Sequence, residues 1–294
     1  MKVLKFGGTS VGSAASLQNV KKIVEACPGQ VIVVVSALGG VTNQLLDMTN
    51  RALDQDSSYE AILEQVRQRH LDTIAQVVPE AMQQQCNAIV EQFIDGLTSF
   101  YSMLFINRDL PADYIGTLRD AIVAHGEIMS SAIVSCLIDG AEPHFAPNFI
   151  KTRTVDGEHA LQAELTERLI AQELGSSTAR CIVTQGFIAE DEHTGHKTNL
   201  GRGGSDYTAA LVAAALKAES LEIWTDVDGF MTADPRTHHD ATVIDTMTYE
   251  QAQAMCDAGA KVIYAPTLRP VARLHIPVWV KNTFNPGARG TLIH

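Results

Sequence analysis

Asn199-Leu200-Gly201-Arg202-Gly203-Gly204-Ser205-Asp206 runs a glycine-rich turn straight into the start of a helix. The residues behind it, Tyr207 to Lys217, are mostly Ala and Leu and make a strong helix pattern. Glycines at 201, 203 and 204 can take backbone angles closed to other residues, so consecutive N–H groups can converge on one anion. The positive end of the helix adds to the same field, with Ser205 or Asp206 as its cap. Arg202 brings a forked cation that matches a carboxylate or a phosphate, and Asp206 a negative charge that a bound metal or a Lys could offset. This mixture points to phosphoryl chemistry, although a glycine turn before a capped helix would give the same string.

Moving outward, two strand, glycine turn, helix units precede it. Lys2 to Phe6 is a short buried strand, followed by Gly7-Gly8-Thr9-Ser10 and a helix over Ser13 to Ala26 with an apolar stripe at Leu17, Val20 and Val24. Neither G-x-x-x-x-G-K-[ST] nor G-x-G-x-x-G is present. Instead Lys5 comes before the glycines, where it would project from the strand's carboxyl end into the crevice in which open α/β sheets bind ligands. Val31 to Val35 is β-branched without alternation, the mark of a strand buried on both faces of a parallel sheet. Ser36-Ala37-Leu38-Gly39-Gly40 breaks it, and Thr42 and Asn43 can cap the helix that runs on through Leu53. Ser36 and Thr42 could offer hydroxyls to a substrate; capping alone would explain Thr42 as well.

Residues 58–110 are helical in pattern, broken at Pro79, and carry no evident chemistry; such an excursion suits a lid, a wall or a dimer surface. A further helix over Tyr114 to Ile138 holds His125, read as structural, and Glu127, whose helical neighbours are small or apolar. A carboxylate there wants a partner, either a substrate ammonium or a protein Arg. Short extended pieces over 144–154 lead to a helix over Glu158 to Leu174, a strand over Cys181 to Ile188 and a polar hairpin over Glu190 to Lys197, whose His193 and His196 read as solvated. Leu221 to Phe230 is a strand ending in an acidic turn, where Thr225 and Asp226 could meet a ribose or a Mg²⁺-bound phosphate. Asp234-Pro235-Arg236 makes another turn, Thr248 to Cys256 a capped helix, and Lys261 projects near the next helix start. Ile276 to Lys281 is the last strand expected, with order ending at Asn285-Pro286-Gly287.

The totals set the frame. A chain of 294 residues allows one large α/β domain or two smaller ones of roughly 150 residues each. With 46% hydrophobic residues it reads as an ordinary globular enzyme. No membrane segment and no signal peptide is read, so a cytoplasmic location is expected. The five cysteines are scattered without a C-x-x-C pair, which fits reduced thiols and offers no zinc framework. A net charge of −12 argues against nucleic-acid binding and requires that an anionic substrate meet a local cluster of cations. Lys5, Arg202, Arg236 and Lys261, all beside turn signals, are the candidates.

Taken together, Lys5-Phe6-Gly7-Gly8-Thr9-Ser10, Gly201 to Asp206, Thr225-Asp226-Val227-Asp228-Gly229 and Gly259-Ala260-Lys261-Val262 resemble the aspartate kinases of the amino acid kinase family. The likeness runs nearly end to end and is strongest to the kinase portion of bifunctional aspartokinase/homoserine dehydrogenases. Those proteins continue into ACT and dehydrogenase domains, to which nothing in these residues corresponds, and a homo-oligomer is expected for the parent protein. The resemblance implies a three-layer α/β/α sandwich around a mostly parallel sheet. Residues 1–200 would form the amino-acid side and 201–294 the nucleotide side. It implies transfer of the ATP γ-phosphoryl to the β-carboxylate of L-aspartate, with Mg²⁺ arriving on the nucleotide and no protein side chains assigned to hold it.

By the same resemblance Lys5 would sit on the transferring phosphoryl beside Gly7, Gly8, Thr9 and Ser10. Asp206 would orient Lys5 and Lys261 rather than abstract a proton. Arg202 would fork onto the substrate α-carboxylate and Glu127 would take its ammonium, with Ser36, Thr42 and Ser205 adding hydrogen bonds. Thr225, Asp226, Met231, Arg236, Lys261 and Val262 would line the ATP side. Two departures stand out: Met231 replaces a Tyr common in relatives, and Tyr264-Ala265-Pro266 replaces a His-Pro pair. The rivals are another amino acid kinase, acting on glutamate, acetylglutamate or UMP, and a catalytically silent nucleotide-binding module.

Overall fold

The lysine-bearing strand β1 (Lys2–Phe6) and the β-branched run β2 (Val31–Val35) lie side by side and parallel, with α1 (Ala14–Ala26) crossing between them. The computed structural model describes residues 1–233, 237–238 and 240–294. Strand side chains alternate between faces, and here each face meets its own core. Leu4, Phe6, Val31, Val33 and Val35 enter one, while Val3, Ile32 and Val34 enter the other. That double burial is why these runs show no polar alternation. The first core is covered by α1 with α2 (Val41–Leu53), α3 (Tyr59–Val77), α4 (Glu80–Ile106) and α5 (Ala112–Leu137). By length and composition α5 could cross a membrane, but 78% of its apolar window is buried inside the fold, so it serves as a core helix.

The chain continues through β3 (Ala141–His144), β4 (Lys151–Val155), β5 (Glu158–Leu161), α6 (Ala163–Glu173), β6 (Cys181–Gln185), β7 (Ile188–Asp191) and β8 (Lys197–Asn199). It ends with α7 (Gly204–Ala215), β9 (Ser220–Thr225), β10 (Thr246–Met247), α8 (Tyr249–Asp257), α9 (Leu268–Ala272), β11 (Val278–Asn282) and β12 (Thr291–Ile293). Eight strands form one sheet in the order β10-β12-β11-β9-β1-β2-β6-β3, parallel throughout except between β11 and β12. Residues from α6, α7, α8 and α9 bury the second core on the opposite face. The result is the expected three-layer α/β/α architecture with a mostly parallel central sheet. A smaller sheet, β5-β4-β7-β8, stands beside it.

Local departures from the sequence reading have identifiable causes. The helix expected over Glu158 to Leu174 is the strand β5 followed by the shorter α6. Asp156-Gly157, both at positive φ (52° and 81°), make a two-residue hairpin turn that returns the chain antiparallel to β4. Order does not end at Gly287: the three-residue β12 pairs antiparallel with β11, too short a run to register as a periodic pattern. Nor are the helix caps the polar residues expected. The N-cap of α7 is Gly203 and that of α2 is Gly40, at φ 71° and 87°, so Ser205, Asp206 and Thr42 all fall inside the first turn of their helices. Two helices do begin as read: Ser13 accepts from the Ser16 N–H at α1 and Thr248 from the Gln251 N–H at α8, each in a reciprocal capping box.

Candidate active site

β1 and β2 end side by side, and the turns that follow them face the start of α7. Alternation places Lys5 on the same sheet face as Val3, toward α7 rather than toward α1. There its Nζ lies 2.6 Å from Asp206 Oδ1, each side chain only 12% exposed. The approach is a contact of charges that misses the angle of a directed hydrogen bond. Asp206 is in the first turn of α7, so the helix's positive end and the Lys5 ammonium hold its carboxylate between them. α7 comes this near because Gly186, at the end of β6, has no side chain; a Cβ there would lie 2.5 Å from that of Ser205. Ser205 Oγ in turn accepts a 2.9 Å hydrogen bond from Ser36 Oγ, tying the helix start to the turn after β2.

Glu127 reaches the same place from α5. Gly126 lets the helix approach, since a Cβ on it would sit 2.8 Å from Ala37 Cβ. Glu127 Oε1 accepts from the Ala37 N–H at 3.2 Å, while Oε2 is buried with no partner. Among the described residues no Arg pairs with this carboxylate. Burial raises its pKa from 4.5 to about 8, a rise partly countered by the Ala37 N–H and by the Lys5 charge. His125, by contrast, is structural: Nδ1 faces the Ala121 carbonyl and the ring lies edge-on to Phe93 and Phe100.

Lys5, Gly8, Ser36, Thr42, Glu127, Ser205 and Asp206 thus line one cavity of about 340 Å³. Gly39, Gly40 and Phe187 also line it. Phe187 was not foreseen; its φ of 70° is unusual for a bulky residue, and its neighbours in the sequence give no sign of that. Arg202 lies between Gly201 and Gly203, which both border the cavity, and is exposed with no ion pair among the described residues.

Other expected residues stand elsewhere. The Gly7 N–H donates to the Trp224 carbonyl (3.3 Å), whereas Gly8 lines the cavity and its N–H makes no backbone hydrogen bond among the described residues. Ser10 is fully buried between Trp224 O (3.2 Å) and Thr283 Oγ1 (2.7 Å), a structural role, and Thr9 is exposed on the turn. At the end of β9, Thr225 donates to Asp226 Oδ1 (3.1 Å), and neither residue lines the cavity. Met231 bridges to Val243. Lys261 is exposed, Val262 is half-buried, and Asp206 makes its ion pair with Lys5 rather than with Lys261. Their segment reaches the glycine turn through Tyr264, whose Cβ would be 2.3 Å from a Cβ on Gly203. Arg236 lies outside the described residues.

The sequence model of the amino acid kinase family matches residues 1–282. A bifunctional aspartokinase/homoserine dehydrogenase of Daucus carota is 34% identical over 98% of this chain, which spans 32% of that protein's length. The lysine-sensitive aspartokinase 3 of Escherichia coli is 33% identical over 99% of this chain, which spans 63% of that enzyme. Among solved structures, E. coli aspartokinase III in complex with aspartate and ADP superposes with a TM-score of 0.86 at 30% identity. That alignment covers all of this chain and 64% of the other.

Proposed function

The chain belongs to the amino acid kinase family, and from that premise we propose that it is an aspartate kinase, transferring the γ-phosphoryl of ATP to the β-carboxylate of L-aspartate. One observation carries the substrate assignment. One cavity is lined both by an ammonium (Lys5) and by a buried carboxylate with a free oxygen (Glu127). A molecule bearing its own ammonium and two carboxylates complements that arrangement; an acetylated amine or a nucleotide would offer Glu127 Oε2 only a neutral donor, without the charge that offsets a buried carboxylate. The relatives named above support the same reading.

In this reading the β-carboxylate oxygen attacks the γ-phosphorus while the bond to the β,γ-bridging oxygen breaks, giving 4-phospho-L-aspartate and ADP. The acceptor is already an anion at neutral pH, so no general base is needed and the protein's contribution is positioning and charge neutralisation. Lys5 stands at the transferring group and Asp206 fixes its ammonium; Gly8 N–H adds a donor. Arg202, between two glycines of the cavity lining and without an ion pair among the described residues, takes the α-carboxylate, with Ser36, Thr42 and Ser205 hydroxyls lining the same cavity. Residues of the 225–262 segment take the nucleotide, so that the 1–200 and 201–294 halves act as amino-acid and nucleotide sides. No cluster of three or more His, Cys, Asp or Glu side chains suited to a metal occurs among the described residues. Mg²⁺ would enter on the phosphates, where it would neutralise their charge.

The test is ADP release with L-aspartate, L-glutamate, N-acetyl-L-glutamate and UMP offered in turn. Turnover with aspartate above the others is expected, and K5A or D206A should lower it by ~10²- to 10³-fold with folding intact. Equal turnover with acetylglutamate, or none with any acceptor, contradicts the assignment.

A further inference from the structure

The two glycine turns meet main chain to main chain. A Cβ on Gly12 would lie 2.9 Å from the Gly8 carbonyl oxygen, and one on Gly39 would lie 3.0 Å from that same oxygen. Val11 of the first turn and Leu38 of the second are buried in one core beneath them, but beyond the Ser36 N–H to Phe6 O bond at the strand ends no hydrogen bond joins the two turns directly among the described residues. What does join them comes from a third element. Arg69, on α3, donates from Nη1 to the Gly39 carbonyl (2.8 Å) and from Nη2 to the Gly12 carbonyl (3.0 Å). It is half-buried and makes no ion pair with a carboxylate among the described residues. Two residues earlier, Arg67 is an ordinary surface cation paired with Glu64 and Glu91.

We propose that Arg69 is a positioning residue for phosphoryl transfer: its guanidinium sets the gap between the turn that follows Lys5 and the turn that carries the Ala37 contact to Glu127. The inference rests on the kinase reading above. Near-attack geometry tolerates little error: Gly8 and Ser36 sit on the two turns that Arg69 joins, Lys5 lies just ahead of the first, and Glu127 is tied to the second through Ala37. A guanidinium offers parallel donors in a fixed plane that can bind both carbonyls at once, which the single ammonium of Lys cannot reproduce. Arg69 touches neither reactant, so it acts through the backbone it holds.

The experiment compares R69K, R69A and the control R67A. Both Arg69 variants are expected to lose about 10- to 100-fold in kcat, the effect of a misplacement approaching 1 Å, with KM for aspartate and ATP changing far less. Guanidinium at millimolar concentration should restore part of the loss in R69A and none in K5A. Amide hydrogen exchange, which needs no activity, should accelerate together in residues 7–13 and 36–41 of R69K and stay unchanged in R67A. Wild-type kcat in R69K, failure of guanidinium to relieve R69A, or unchanged exchange at both turns in R69K overturns the proposal. A silent wild-type chain whose turns still loosen in R69K contradicts the kinase reading and leaves the clamp standing.

Discussion

Glu127 shows how a single buried group can record what a site is built to bind. The residue is 4% exposed, one carboxylate oxygen accepts from the Ala37 N–H, and the other has no partner among the described residues. With a pKa of about 8 in the folded chain against an ordinary 4.5, the free protein keeps a proton there at neutral pH. The sign for stability follows: the folded chain binds this proton more tightly than the unfolded chain. The stabilisation is complete below pH 4.5 and declines as pH rises through about 8. In denaturant titrations without substrate, E127Q should therefore lose less stability than the wild type between pH 5 and 9. An incoming ammonium favours the charged carboxylate, so aspartate binding at pH 7 should release a proton to the buffer. Calorimetry in buffers of different ionisation enthalpy measures that release; E127Q should abolish it and weaken aspartate binding. Identical release in the variant would remove Glu127 from the ammonium site.

At the scale of elements, the site depends on how closely helices approach turns, and glycines set those distances. Gly126 brings α5 onto the second turn, Gly186 admits the start of α7, and Gly203, in the left-handed region, accepts Tyr264 against its Cα. G126A is the most informative change, because its new methyl meets Ala37 Cβ, which belongs to the turn itself. Overpacking of this kind costs about 1–3 kcal/mol, and here it should also move Glu127 away from the Ala37 N–H. The expected result is a lower midpoint in urea together with a raised KM for aspartate and a nearly unchanged KM for ATP. Parallel loss on both substrates would mean that α5 serves the whole cavity rather than its amino-acid end.

For the molecule as a whole, much of the plan could be read before any coordinates. The Val31 to Val35 run announced a strand buried on two faces, and Lys5 ahead of its glycines pointed along β1 to the crevice that α7 closes. Asp206 could be named from the glycine turn, but its meeting with Lys5, 201 residues away, is a product of β1 lying between β2 and β9. What stayed hidden is of two kinds. Arg69 sits in a helical excursion with nothing local to separate it from Arg67, and its function exists only because α3 folds over both turns. The β4–β5 hairpin is hidden for another reason: the four residues of β5 run straight into α6 and read with it as one helix over Glu158 to Leu174. The expected N–H donor of Gly7 and the hydroxyl of Ser10 failed as site groups because neighbouring strand ends use them.

The central claim is that turns remote in sequence close on one phosphate with the amino acid between them. A crystal structure of this chain with L-aspartate and a non-hydrolysable ATP analogue tests it most directly. The account predicts the aspartate ammonium on Glu127 Oε2, its α-carboxylate on Arg202, and the β-carboxylate and γ-phosphate both within hydrogen-bond reach of Lys5 Nζ. Aspartate bound outside this cavity, or a γ-phosphate held away from Lys5, would contradict it.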